Sequence, residues 1–145
     1  MSRGSRGFTI HELIVVMAIA AVLVTFWTPR AARVIDWLET EAAVRDVTTA
    51  LAVAQSGAIM QSMRARLTIR ADTLRIDRLD GLTWIPWWRQ PGPASHGVSL
   101  VVSNPDVEFG PTGVGWGVSN TRIVLSRGSQ AETITMSRVG RVKHW

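Results

Sequence analysis

From Leu13 to Trp27 every residue is apolar except Thr25. With Phe8–Glu12 before it and Thr28 after, the stretch is 21 residues long. A helix rising about 1.5 Å per residue would cover about 30 Å, the thickness of a bilayer's hydrocarbon core. Residues 1–7 are short, polar and basic. Positive charge at Arg3 and Arg6 predicts a cytoplasmic N-terminus, with the rest of the chain sent outward.

Three kinds of segment share this outline. A secretory signal peptide has a small-x-small cleavage site after its apolar run. Here Thr-Pro-Arg-Ala-Ala-Arg follows Trp27 and supplies none at that point. An ordinary membrane anchor fits the length but leaves Glu12 unexplained, because a lone carboxylate in hydrocarbon is costly and usually has a partner. The third kind is carried by residues 6–17, Arg-Gly-Phe-Thr-Ile-His-Glu-Leu-Ile-Val-Val-Met. They resemble the class III signal of type IV prepilins and type II secretion pseudopilins.

That resemblance implies cleavage after Gly7 by a prepilin peptidase and N-methylation of the exposed Phe8. Glu12 is then the fifth residue from the new start, the family's place for its glutamate. Pro29 is the twenty-second, where pilins often carry a helix-bending proline. Cleavage would give Phe8 a positive amine. In a filament whose apolar helices bundle away from water, Glu12 is tolerable if it meets a neighbouring subunit's amine, and that pair would set axial register. A Glu snorkelling at the membrane surface is the plainer alternative. Pro29 removes one backbone hydrogen bond and disfavours helix at Thr28, which predicts a kink or a plain break. His11 stands where such signals usually carry an apolar residue.

Beyond the span, Val44, Val47, Leu51, Ala54 and Ala58 recur every three or four residues and form one apolar stripe. Arg45, Asp46, Thr49, Gln55 and Gln61 lie opposite. The helix is therefore expected to run from residue 8 to 63, roughly 84 Å. After Met63 the period shortens to two. Strands are expected at 67–69, 74–76, 83–85, 98–102, 121–126, 132–137 and 141–144. The expected fold is α+β, a long N-terminal helix packed on an antiparallel sheet. Its parts are a leader (1–7), a membrane and filament-core helix (8–29) and a periplasmic head (30–145). The head comprises an amphipathic helix (30–63) and a β-rich region (64–145). Residues 54–59 with 66–69, Phe109–Gly113, Ile134-Thr135 and Gly140-Arg141 are similar to the GspH/FimT group of minor pilins and pseudopilins.

The 145 residues hold one domain by length and no cysteine, which excludes disulfides and thiolate metal sites. His11, His96 and His144 are far apart, giving little support to a histidine metal site. No catalytic constellation appears, so neither an enzyme nor a cofactor is expected. Gly113, Gly115 and Gly117 lack the lysine and Ser/Thr of a phosphate loop and read as a flexible connection. Trp84, Trp87 and Trp88 crowd a Pro/Gly-rich stretch. They read as packing over one end of the sheet, or as an exposed patch for a subunit or for single-stranded bases.

The formal charge is +5, concentrated toward the C-terminus. Arg122, Arg127, Arg138, Arg141 and Lys143 face Glu132 alone over residues 121–145. A solvated strand face and a phosphate-binding surface both fit. Alternation places Arg141 and Lys143 on one side of a strand, where two cations can bridge successive phosphates. In FimT-like minor pilins a C-terminal Gly-Arg-x-Arg motif contacts DNA. Here Lys143 replaces the second arginine, keeping charge and losing the bidentate fork. The expected partners are prepilin peptidase, other pilins or pseudopilins, the inner membrane and, through Arg138, Arg141 and Lys143, DNA. The expected role is a minor pilin or pseudopilin, with DNA capture for uptake as the alternative.

Overall fold

The computed structural model describes residues 9–145. Gly7 and Phe8, where cleavage and methylation are expected, lie outside the described residues. The chain divides into a unit ending at Ile35 and a second unit, Asp36–Trp145. One helix, α1 (Ile10–Met60), contributes to both.

In the first unit, α1 is apolar from Leu13 to Val24, and its side chains from Ile10 to Val24 are exposed. The helix is long and apolar enough to cross a membrane. Thr25, the polar exception, turns its hydroxyl back onto the carbonyls of Ala21 (3.2 Å) and Val22 (2.6 Å). A hydroxyl bonded in this way costs less in hydrocarbon than a bare one. Pro29 lies inside α1, so the helix lacks one amide donor there.

In the second unit, the stripe read from the sequence is the core face of α1. Val44, Val47, Leu51, Ala54 and Ala58 are all buried, as are Ala43 and Ala50. Four alanines on this face let the helix backbone lie close to the sheets. The helix ends at Met60 because Ser62 takes a left-handed conformation (φ 51°). The amide of Met63 then donates to Ala58 O and that of Ser62 to Ile59 O, each at 3.1 Å. This crossed pair satisfies carbonyls that a helix end otherwise leaves open.

Eight strands follow: β1 (Ala65–Ile69), β2 (Thr73–Asp80), β3 (Thr83–Pro91), β4 (Ser99–Val102), β5 (Asp106–Phe109), β6 (Thr121–Arg127), β7 (Gln130–Met136) and β8 (Val142–His144). A short 3-10 turn (Pro93–His96) precedes β4. The strands form two four-stranded antiparallel sheets, the antiparallel head expected. The first is ordered β3-β2-β1-β5, and the second β4-β6-β7-β8. β5 was missed, and it is β5 that completes the first sheet beside β1. Buried residues from α1 and both sheets, among them Leu67, Ile76, Phe109, Ile123, Leu125 and Ile134, make one core.

β3 carries Pro86 and Pro91, which a central strand would not accept, and it is an edge strand. A bulge opposite Ile76 and Asp77 leaves Trp87 unpaired.

Candidate functional site

At the start of α1, Thr9 and Glu12 bond each other reciprocally. The Glu12 amide donates to Thr9 Oγ1 and the Thr9 amide to Glu12 Oε2, both at 3.3 Å. This is a capping box, Thr at the N-cap and Glu three residues on. Glu12 thus has a local task that the sequence reading missed, although Thr9-x-x-Glu12 was its visible signal. The carboxylate also lies where the helix dipole favours negative charge. His11 is exposed in the same turn.

The basic C-terminal residues stand on the second sheet. Val142 points inward and packs against the core, while Arg141 and Lys143 on either side are exposed. The two cations therefore share the outward face. Arg138 is exposed in the connection before β8, and its carbonyl accepts from Gly115 N at 2.9 Å. β8 is an edge strand, paired to β7 through Met136–Val142, Thr135–Lys143 and Ile134–His144.

The three crowded tryptophans are separated by the fold. Trp88 pairs with the core residue Ile76 and packs inward. Trp87 is placed by the bulge against Gly57 of α1. Trp84 faces outward, with the Arg66 guanidinium 4.0 Å from its ring centroid. Arg64 lies 4.7 Å from Trp116 and 5.8 Å from Trp84, and Glu108 pairs with both Arg64 and Arg66. An arginine already stacked on Trp84 occupies the face a base would need, so this group is a structural stack.

The glycine-rich connection joins two strands, β5 and β6, but it is tied down. Gln55 Nε2 donates to Gly113 O at 2.8 Å, and Gly115 N donates to Arg138 O. Gly113 (φ 76°) sits so close to Ile59 that an added Cβ would come within 2.7 Å of Ile59 Cδ1. A flexible loop was the expectation; close packing against α1 explains the glycine instead.

A charge network joins α1 to the 3-10 turn and to the β6–β7 turn. His96 Nδ1 lies 2.9 Å from Glu39 and Nε2 3.0 Å from Asp46. Arg127 Nε donates to Asp36 at 3.0 Å, and its Nη1 donates to the His96 carbonyl. The hydrogen bond to Asp46, then that to Glu39, raises the His96 pKa above its ordinary value, with desolvation opposing. Two carboxylates can both accept from one imidazole only when it is protonated on both nitrogens. This cluster makes a stabilising contact, and among the described residues no group of His, Asp and Glu is arranged to hold a metal.

Residues 2–28 match the family described as the prokaryotic N-terminal methylation motif. No curated protein sequence matches the chain. Among solved structures, the fold is similar to the type IV minor pilin FimU of Pseudomonas aeruginosa in two crystal forms. The first match has 15% identity over 74% of this chain and 89% of that one, with a TM-score of 0.63. The second has 14% identity over 72% and 91%, with a TM-score of 0.60. It is also similar to the minor pseudopilin EpsH from the type 2 secretion system of Vibrio cholerae, at 13% identity over 74% and 96%, with a TM-score of 0.60. At these identities the likeness is one of fold.

Proposed function

We propose, from a methylation motif and a fold that are those of the type IV pilin and pseudopilin superfamily, that this chain is a filament subunit and not an enzyme. It serves as a minor pilin or pseudopilin of a type IV pilus or a type II secretion pseudopilus, in assembly or at the tip. Prepilin peptidase cuts after Gly7, and Phe8 is then methylated. Removing Arg3 and Arg6 takes the formal side-chain charge from +5 to +3. The N-terminus is cytoplasmic and the head periplasmic, with the first half of α1 in the inner membrane until assembly. Pro29 marks the place where the helix yields when a filament bends.

The observation that carries this reading is the motif at 2–28 opening a helix with exposed apolar side chains, on a chain whose remainder is a packed α+β head. A surface so apolar needs lipid or other helices around it. Intact mass of protein extracted from the membrane tests the processing step. Loss of residues 1–7 with one added methyl is expected. An unprocessed Met1 start in cells with active prepilin peptidase would overturn it.

A second reading is favoured by Arg141 and Lys143, exposed side by side on the second sheet. In it the filament presents the head to DNA for uptake. Binding would be backbone-driven and weakened by salt. Retention of DNA by the full-length protein in neutral detergent, at low and high salt, tests it. Arg141→Ala with Lys143→Ala should abolish the salt-sensitive part, and unchanged retention would rule the tail out.

A further inference from the structure

The register of the first sheet brings like charges together on its outer face. Leu67, Ile69, Leu74 and Ile76 are buried in the core, so Arg66, Thr68, Thr73 and Arg75, which alternate with them, face outward. Arg75 on β2 stands directly opposite Arg89 on β3. Neighbouring strands lie about 4.8 Å apart, and like charges placed in this way repel. On its other side Arg75 is opposite Thr68, which is opposite Asp106 on β5. Arg70 continues the alternation one residue beyond β1, and its amide donates to Thr73 O at 3.0 Å.

Together with Asp72 these side chains line a hollow of about 400 Å³. Four arginines against two aspartates leave it a net formal charge of +2. The arginines are not equally committed. Arg66 pairs with Glu108 at 2.9 Å and stacks on Trp84. Arg75 pairs at 3.0 Å with buried Asp77, which occupies one side of its guanidinium. Arg70 and Arg89 make no salt bridge to a described residue. Arg89 Nη2 donates to Thr73 Oγ1 at 3.4 Å, which leaves the Thr73 hydroxyl proton able to donate elsewhere. Asp106 accepts from Thr68 Oγ1 at 2.7 Å.

We propose that this hollow binds a single phosphate group, free or as a small ester, held by Arg70, Arg75 and Arg89 with Thr73 donating. An anion seated between Arg75 and Arg89 turns their repulsion into two charge-assisted contacts. The tetrahedral oxygens of a phosphate can meet guanidinium groups on several sides, whereas the planar pair of a carboxylate serves one fork. Asp106 along the row and Asp72 at the turn bound the cations, so an extended polyanion would run into negative charge. The hollow has room for the alcohol or amine part of an ester, and the two aspartates can accept hydrogen bonds from it. The site belongs to the first sheet and does not depend on the reading that assigns Arg141 and Lys143 to DNA.

The test is isothermal titration of the full-length protein in neutral detergent, at fixed ionic strength, with inorganic phosphate, glycerol phosphate, phosphoethanolamine and malonate. One saturable phosphate site is expected, with malonate about tenfold weaker. Tighter binding of either ester than of inorganic phosphate assigns the site to the chemistry of a lipid headgroup; the reverse order assigns it to the free ion. Arg89→Gln should weaken phosphate about tenfold, and so should Arg70→Gln on its exposed turn. Without phosphate, Arg89→Gln should melt no lower than the parent, because it relieves the pair with Arg75. Phosphate should then raise the parent's melting temperature more than the variant's. Malonate bound as tightly as phosphate, or both variants binding as the parent does, overturns the proposal. So does loss of phosphate binding in the Arg141→Ala, Lys143→Ala variant with none in Arg89→Gln, which would place the anion on the second sheet.

Discussion

Replacing Glu12 by Gln removes the charge and keeps the cap; replacing it by Ala removes both. The two substitutions separate the roles that compete for this carboxylate. The capping bonds with Thr9 are 3.3 Å long and exposed. They belong at the low end of the range for helix caps, about 0.5 kcal/mol, or about twofold in a population. A Gln at the third helical position completes the same box. The proposed pair with a neighbour's N-terminal amine lies among apolar helices. Removing one partner from a buried ion pair costs about 3–5 kcal/mol, at least a hundredfold at about 1.4 kcal/mol per tenfold. The assay is competition: each tagged variant is co-expressed with the parent, and its share is measured in the membrane and in the isolated filament fraction. Both variants should reach the membrane normally. Both should fall about a hundredfold in filaments and differ from each other by about twofold. Glu12→Gln entering filaments within about threefold of the parent, with Glu12→Ala excluded, would refute the charge-pairing argument and leave Glu12 as a cap.

Two further outcomes concern the head. The His96 pKa is raised above its ordinary 6.5. Its contribution is therefore complete below about pH 6.5 and is lost as pH rises through the higher folded value. The carboxylates it meets are partly exposed, so about 1 kcal/mol is at stake. Thermal melts from pH 6 to 9 should show this loss in the parent and not in His96→Gln; equal losses would discount the two ion pairs. Gly128 and Gly117 both have positive φ, 56° and 67°. A Cβ at Gly117 meets open space, but at Gly128 it would run into the Asp36 carboxylate that holds Arg127. Gly117→Ala should cost about 1 kcal/mol from backbone strain alone. Gly128→Ala should cost at least about 1 kcal/mol more by urea unfolding, and equal costs would remove the contact from the account.

The sequence showed most where one period ran long enough to be counted. Five residues at helical spacing, Val44 to Ala58, named the buried face of α1, and alternation located the strands that the structure pairs as β1–β2 and β6–β7. It failed where a partner is remote. β5 is four residues, Asp-Val-Glu-Phe, and becomes a strand because β1, about forty residues earlier, pairs with it. The division into two sheets depends on such pairings and has no local mark. The tryptophans at 84–88 looked like one group because a bulge, which flips side chains across a sheet, leaves no signature in composition. At the candidate site, Arg141 and Lys143 were visible from alternation within one strand. Arg122 was not assigned to their row, because only the register across β7 places it there.

The edges of the two sheets bear on how such a chain keeps from clumping. An unprotected edge invites another copy to add its own strand, and the hazard grows with crowding. β3 breaks its outer edge with Pro86 and Pro91, and β5 is shielded by a bridge between Phe109 and Gly115. The edges of the other sheet are four residues long at β4 and three at β8. Strand-by-strand growth into an amyloid-like ladder thus finds little to build on, even where many heads gather in one patch of membrane. On the proposed reading, association is left to the helix, whose apolar side chains from Ile10 to Val24 are exposed.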